Sequence, residues 1–580
     1  AAGVAQGDRV GLLLGNRAEI VTAWVACIRL GAIAVPLNTR EQKPELTYVL
    51  GNCGAKAVIF EDELADRLPD ASDVPALALR IAVGDGDGPA PAGAVPWAEI
   101  EAGRPFGGWA AVAEDDTAVI LYTSGTTGRP KGVCQTHESF IRAAQGGVEV
   151  DGLVPEDNII SYLPPAWVGD HLFSIAQWLV AGFTINCPES AATVSIDLRE
   201  IGPSYYFAPP RVFEGMLTSV SIRMEDAAAP KRWLYQKFMA VARRCGAEIL
   251  DGKPVPLTDR LLYALGNALV YGPLRNVLGL SRIRVAYTAG AAIGPDLFRF
   301  YRSIGINLKQ LYGQTETCAY VCIQKNGRVK LNSVGEAAPG IEIKIADNGE
   351  VLVKGVSVLK EYYKRPDATA EVMDAQGYFH TGDAGRIDHD GHLHIIDRAK
   401  DVGKMASGAI FAPNYIENKL KFFPQIKEAV VFGHGREQVC AFLNIDFEAV
   451  GNWAERQGLP YGGYVDLASK PQVLDMLADS VAQVNADLAA EEGMADTQIA
   501  RFLVLHKELD PDDDELTRTR KVRRGFIGDK YQVLIDALYA GRSEQYIETQ
   551  VKFEDGRTGM VSATLPIREA KRYPAMAKAA

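Results

Sequence analysis

Thr123, Ser124, Thr126 and Thr127 stand with Gly125 and Gly128 in one short stretch that closes on Lys131. Such a stretch has the parts to hold a polyphosphate: glycines let backbone N–H groups approach closely, hydroxyls donate, and one lysine adds positive charge. It is not a Walker loop, which needs a lysine directly after its last glycine and then Ser or Thr; here Pro130 precedes Lys131 and Gly132 follows it. Alone, it would read as a polar turn after the apolar run Ala118–Leu121. A second cluster, Gln310-Leu-Tyr312-Gly313-Gln314-Thr315-Glu316-Thr317, combines an aromatic, a glycine, hydroxyls and one carboxylate. A third, Gly377-Tyr-Phe-His-Thr-Gly-Asp383, sets a carboxylate at a tight turn and is followed by Asp397-Arg398-Ala-Lys400-Asp401. The fourth is basic: Leu516-Thr-Arg-Thr-Arg-Lys521-Val-Arg-Arg. Each has a bland reading when isolated, namely a solvated glutamate, an ion pair for Asp383 or Arg398, and a solvated basic face.

These clusters need a scaffold, and the apolar periodicity supplies one. Val10–Leu14, Ala32–Pro36 and Ala57–Phe60 read as strands, with helical patterns at Ala18–Leu30 and Glu45–Leu50 between them. The rhythm recurs at Asn158–Leu163, His171–Val180 and Phe183–Cys187, so the chain is α/β with parallel sheets. Residues 221–280 are rich in helix formers, and Leu234, Phe238, Val241 and Cys245 share one face there. A membrane-surface helix has that form, and so does a helix packed on a domain surface; peripheral membrane contact therefore stays open. Ala429–Phe432 and Val439–Ile445 flank Gly433-His-Gly-Arg and read as a hairpin, which starts a smaller α+β domain.

At 580 residues the chain exceeds what one core organises, so more than one domain is expected. A net charge of −12 argues against nucleic acid as a partner, because phosphate backbones are held by clustered Lys and Arg. The eight cysteines show no Cys-x-x-Cys pair and read as free thiols of a cytoplasmic protein. Cys318 and Cys322 are spaced to share a helix face, and His389, His392 and His394 read as solvated residues of an exposed hairpin.

The four clusters, in this order, resemble the adenylate-forming superfamily of acyl-CoA synthetases, luciferases and peptide-synthetase adenylation domains. Ser161-Tyr-Leu-Pro-Pro-Ala-Trp167-Val-Gly-Asp-His171, Pro209-Pro-Arg-Val-Phe-Glu214 and the helical insert before Gly290 are most similar to bacterial long-chain fatty acyl-CoA synthetases. The resemblance implies a large N-terminal AMP-binding domain of stacked α/β subdomains over residues 1–397. A smaller mobile α+β domain over 398–580 would follow, joined by a hinge at Lys400. Relatives carry a further helical segment before the first strand, so the front end is expected to be truncated.

By the same resemblance, ATP would be bound by Thr123, Ser124, Gly125, Thr126, Thr127, Gly128 and Lys131 on the phosphate side. Gly290 and Ala291 of Thr288-Ala-Gly-Ala-Ala-Ile would lie beside the adenine, and Tyr312, Gly313, Gln314 and Thr315 would form the second wall. Thr126 and Glu316 would hold Mg²⁺, Asp383 and Arg398 would meet the ribose, and Lys404 would act in one domain orientation. Catalysis would rest on Lys521, Thr315 and Glu316, with Trp167 and His171 as acyl-pocket candidates. The expected reaction activates a fatty acid, most similar to the long-chain case, as acyl-AMP and transfers it to CoA, releasing AMP and pyrophosphate. An acyl-AMP ligase serving a carrier protein and a non-catalytic acyl or nucleotide binder are the alternatives. Expected partners are fatty acid, ATP and CoA, in the cytoplasm or peripherally on the inner membrane.

Overall fold

The structure, a computed structural model, describes residues 3–84, 90–103, 107–123, 129–290, 293–491, 493–510, 513, 515–516, 522–552 and 558–575. The chain forms two compact units, Ala1–Thr381 with Arg386–His394, and Gly382–Gly385 with Ile395–Ala580. This division falls at 394/395 rather than the expected 397/398 and draws the Asp383 turn into the second unit. The reason is local: the Ala399 N–H donates to the Gly382 carbonyl at 2.8 Å, and Arg398 pairs with Asp383 at 2.9 Å.

The first unit is built on an eight-stranded sheet. Arg9–Leu13 lies between Ile33–Pro36 and Ala57–Glu61 with parallel pairing on both sides. Such a central strand is buried on both faces, which explains its unbroken apolar run. Thr117–Thr123 joins parallel to Ile33–Pro36 and pairs antiparallel with Lys131–Thr136, so the hydroxyl-rich stretch connects the strands of a hairpin. A five-stranded sheet carries the second cluster: Tyr205–Phe207, Val285–Thr288 and Leu308–Tyr312 run parallel, and Cys322–Ile323 and Glu336–Ala337 extend it antiparallel. Thr288 and Tyr312 thus end adjacent parallel strands, the sheet end where open α/β folds bind ligands.

The expected helical region resolves into Pro210–Glu225, Ala229–Leu250 and Leu257–Gly266, a π-helical turn Asn267–Tyr271, and Gly272–Val277. Met239, Ala242 and Cys245 of the second helix are buried. Met239 and Ala242 join a core with Tyr206, Phe213, Phe298 and Tyr301. The face carrying Leu234, Phe238 and Cys245 therefore packs on protein.

Two further expectations are corrected. Cys318 sits in a turn with φ of 51° and Cys322 on a strand, so they share no helix face. His392 and His394 are buried: His392 Nδ1 lies 3.0 Å from Ser333 Oγ, and His394 bridges Asp388 and the Asn332 carbonyl. Of the three histidines, His389 alone is exposed in that hairpin.

The second unit has a five-stranded sheet in the order Ile426–Phe432, Val439–Ile445, Ile499–Val504, Thr558–Glu569, Glu544–Lys552. The expected hairpin is present as its first two strands. Helices Pro413–Lys421 and Pro471–Ala490 cover one apolar face.

Candidate active site

In the first unit, the phosphate-side hairpin and the second cluster are tied into one piece. Strand pairing sets Thr123 opposite Lys131, with Thr123 Oγ1 donating weakly to the Lys131 carbonyl at 3.5 Å. The Lys131 ammonium lies 4.9 Å from the centre of the Tyr362 ring. The Tyr362 hydroxyl donates to Glu316 Oε1 at 2.8 Å, and burial together with the Glu316 carboxylate pushes its pKa up. Lys131 and Glu316 thus face one tyrosine from two elements. Gln135, buried in the same hairpin, donates to the Thr315 carbonyl at 2.8 Å and accepts from Ser139 Oγ at 3.0 Å. Tyr362 and Gln135 carried no motif signal, because each acts through a partner brought near only by folding.

The turn after Tyr312 is held tightly. Gln314 N–H donates to Thr317 Oγ1 at 2.9 Å, and Gln314 Nε2 donates to the Thr381 carbonyl at 2.9 Å and the Tyr312 hydroxyl at 3.4 Å. Cys318 and Ala319 both adopt positive φ, 51° and 56°. Two adjacent non-glycine residues in that region mark local strain of the kind found at ligand sites. A Cβ on Gly313 would stand 2.2 Å from the Ala319 carbonyl carbon, so the turn requires glycine there. On the neighbouring strand, Thr288 is buried and its hydroxyl has no hydrogen-bond partner among the described residues. An orphaned buried hydroxyl at a strand end is suited to a polar ligand atom. Gly290 follows with φ of 86°.

The strands that carry Thr288 and Tyr312 are pinned from behind by a buried charge cluster that had no sequence signature. The ammonium of Lys309 and the carboxylate of Asp151 form an ion pair with both side chains wholly buried. Tyr287 donates to Asp151 at 3.2 Å, and its ring lies 4.7 Å from the Lys309 ammonium. Burial pushes the Asp151 pKa up and that of Lys309 down, each opposed by the other's charge.

The acyl-pocket candidates separate. Trp167 is 51% exposed, whereas His171 is fully buried between Trp24 and Phe140, its Nε2 against the Pro165 carbonyl. Burial lowers the His171 pKa to about 4, so the ring is neutral at physiological pH. Beside it, Asp170 accepts from Ser161 Oγ at 2.9 Å and Ser174 Oγ at 3.1 Å, fixing the Ser161–His171 segment. A groove of about 360 Å³ lies in the helical region, lined by Leu198, Met216, Val220, Leu234, Leu274 and Leu278. Arg199, Arg223 and Lys231 also border it.

Burial raises the Asp170 pKa to about 6 despite its serine donors. A carboxyl whose folded pKa is raised binds more protons when folded, so it costs stability as pH rises from about 4 to 6 and keeps that cost above. Asp170→Asn is expected to increase unfolding free energy by about 1–3 kcal/mol at pH 7.5 and to match wild type near pH 4. Urea melts at the two pH values check this; an equal effect at both would assign the change to packing.

In the second unit, Asp383 and Arg398 are each other's partner, so ribose binding would require a shared contact or an exchange. Lys400 is exposed in the turn after the strand Leu393–Arg398, and Lys404 pairs with Ile410 in a short hairpin. Asp397, which sequence reading left unassigned, accepts from the Asn414 and Arg398 N–H groups, both at 2.7 Å. Asn414 in turn accepts from Arg524, which pairs with buried Glu417. Ser124, Gly125, Thr126, Thr127, Gly128, Ala291 and Lys521 lie outside the described residues. The flanks of the Lys521 segment are defined: Leu516 and Val522 form a bridge, and buried Glu515 accepts from Lys507, Lys530 and Tyr531 at 2.6, 2.7 and 2.6 Å.

The AMP-binding enzyme family matches residues 1–363, and the AMP-binding enzyme C-terminal domain matches residues 400–543. The chain belongs to the AMP-binding enzyme family, the adenylate-forming enzymes. Among its relatives, the putative fatty-acid–CoA ligase FadD11 of Mycobacterium tuberculosis is 33% identical, over 74% of this chain and 75% of the relative. The long-chain-fatty-acid–CoA ligase FadD15 of the same species is 31% identical, over 93% and 89%. The fold is shared with the anthranilate CoA ligase AuaEII in complex with anthranoyl-AMP, at a TM-score of 0.63 and 20% identity over 92% and 89% of the chains.

Proposed function

We propose that this chain is an ATP-dependent fatty-acid–CoA ligase and that its substrates are long-chain fatty acids. The observation that carries the reading is the joining of Lys131, Tyr362, Glu316 and the Thr315 turn, in a chain about a third identical to relatives named fatty-acid–CoA ligases. In the first half-reaction the fatty carboxylate attacks the α-phosphorus of ATP and pyrophosphate leaves. In the second, the CoA thiolate attacks the acyl carbonyl and AMP leaves.

Lys131 and the hydroxyls of residues 123–127 bind the phosphates in this scheme. Thr315 donates to the α-phosphate, Tyr312 and Gly290 flank the base, and Asp383 and Arg398 meet the ribose. Glu316 is half-buried and gives one oxygen to Tyr362, which leaves carboxylate capacity for a hard cation. Glu316 and Thr126 would hold Mg²⁺ beside the phosphates, where such an ion offsets phosphate charge. Lys521 stabilises the adenylation transition state and withdraws when the smaller unit turns about Lys400. Long-chain preference is supported by the apolar groove, which neither Trp167 nor His171 lines; in this scheme exposed Trp167 serves as the acyl entrance and neutral His171 holds the Pro165 backbone. Eight free thiols suit a cytoplasmic setting.

Fatty-acid-dependent exchange of pyrophosphate into ATP tests the first half-reaction; no exchange would overturn the reading. Glu316→Gln is expected to raise the Mg²⁺ concentration for half-maximal exchange by at least the roughly 10–100-fold that follows loss of a metal site's outer partners. Wild-type exchange across a Mg²⁺ titration would remove Glu316 from the site.

A further inference from the structure

One guanidinium in the second unit joins a polar network that spans four elements. Arg524 opens the helix Arg524–Lys530. Its Nη1 donates to Glu417 Oε1 and its Nη2 to Glu417 Oε2 at 3.0 Å, a forked pair with a carboxylate that is 2% exposed. Nη1 also reaches the Val431 carbonyl at 3.3 Å, and the Val431 N–H donates to Glu417 Oε1 at 2.7 Å. Nη2 has a second partner, Asn414 Oδ1, at 3.1 Å. Asn414 in turn holds Asp397 twice, through its backbone N–H at 2.7 Å and through its Nδ2. Burial pushes the carboxyls of Asp397 and Glu417 up, and the Arg524 charge opposes both.

Each end of this network meets a residue of the proposed reaction. At one end Asp397 Oδ1 accepts from the Arg398 N–H at 2.7 Å, and Arg398 pairs with Asp383 at 2.9 Å. At the other, Arg524 stands three residues after Lys521, a reach of at most about 11 Å. The base of that segment is closed, since Leu516 bridges Val522 and the Arg523 N–H donates to the Glu515 carbonyl at 2.9 Å. Glu515, held by Lys507, Lys530 and Tyr531, pins the side on which the chain enters. Arg524 pins the side on which it leaves. A pair serving stability alone would end at Glu417, whereas this one continues through Asn414 and Asp397 to Arg398.

We propose that Arg524 and Asn414 are positioning residues for adenylation: with Glu417 and Asp397 they hold Arg398 and the chain leaving Lys521 on one base, so that both are presented to the nucleotide together. The proposal rests on the ligase reading, in which Arg398 and Lys521 act in the first half-reaction. Neither positioning residue touches the nucleotide in this scheme. Their effect is geometric, and an ångström of misplacement costs roughly 10²-fold in rate.

The test compares wild type with Asn414→Ala, which cuts the link from Arg524 to Asp397 but leaves the Arg524–Glu417 pair. Arg524→Lys is measured beside it, because one ammonium keeps the charge and loses the fork. Acyl-adenylate formation should fall about tenfold or more in both variants, while thioester formation from saturating acyl-AMP with CoA stays within about twofold. A second readout needs no activity. The segment holds Arg518, Arg520, Lys521 and Arg523, so limited trypsin digestion of Asn414→Ala should cut faster within 518–524, with no matching rise at other sites. Equal losses in the two half-reactions, or wild-type rates in Asn414→Ala, would overturn the positioning role, and so would unchanged cleavage. Absence of fatty-acid-dependent pyrophosphate exchange in wild type would instead sink the ligase reading and the adenylation role with it, leaving the anchoring to be decided by the digestion alone.

Discussion

Replacing Lys521 by alanine is expected to slow acyl-adenylate formation roughly 10²–10³-fold, the scale for deleting one donor aimed at developing charge, while sparing thioester formation from supplied acyl-adenylate. The asymmetry follows from where charge develops. Attack of a carboxylate on the α-phosphorus gathers negative charge on both reacting groups, and an ammonium there stabilises the transition state more than the separated reactants. CoA attack on the adenylate discharges AMP, and in the proposed cycle the lysine has left the site by then. The anchor of that segment is Glu515, held by two lysines and Tyr531, so the alanine variant should retain the fold of the second unit. Feeding the variant fatty acid with ATP, and separately acyl-AMP with CoA, reads the two halves. Equal losses would make Lys521 structural or the unit immobile, and unchanged rates would place the lysine elsewhere.

Lys309→Met is expected to destabilise the first unit by about 3–5 kcal/mol, the cost of leaving one member of a buried ion pair alone. Asp151 would keep the Tyr287 hydroxyl and the charge of Arg284, and its Oδ2 has no partner among the described residues. The loss should be larger at pH 8 than at pH 5. A stranded carboxyl has a raised folded pKa, so protonation relieves it as pH falls, while the unfolded chain ionises near its ordinary value. Adding Asp151→Asn to Lys309→Met should recover a large part of the loss at pH 8. Because Lys309 lies on the strand ending at Tyr312, nucleotide affinity should fall with stability. A loss independent of pH, with no rescue in the double variant, would attribute the effect to packing.

What the sequence made legible was local. Strands with continuous apolar runs, such as Arg9–Leu13 and Thr117–Thr123, announce themselves because both faces are buried. The hydroxyl-rich stretch and the Tyr312 cluster are contiguous in the chain, so their chemistry can be read without knowing what they touch. Tyr362, Gln135 and the Lys309–Asp151 pair were illegible for the opposite reason. Lys309 and Asp151 are 158 positions apart, and nothing in the residues between them says that they meet. His392 and His394 were misread because Gly and Asp neighbours signal a turn, while the ring contacts with Ser333 and Asp388 are set by packing.

The most direct test of the ligase reading is AMP release over a series of saturated fatty acids, with and without CoA. The account predicts that release requires CoA and that kcat/KM rises with chain length, each further buried methylene contributing about 0.8 kcal/mol until the pocket is full. Turnover on acetate or benzoate equal to that on long chains, or adenylate that forms but is not discharged by CoA, would contradict it.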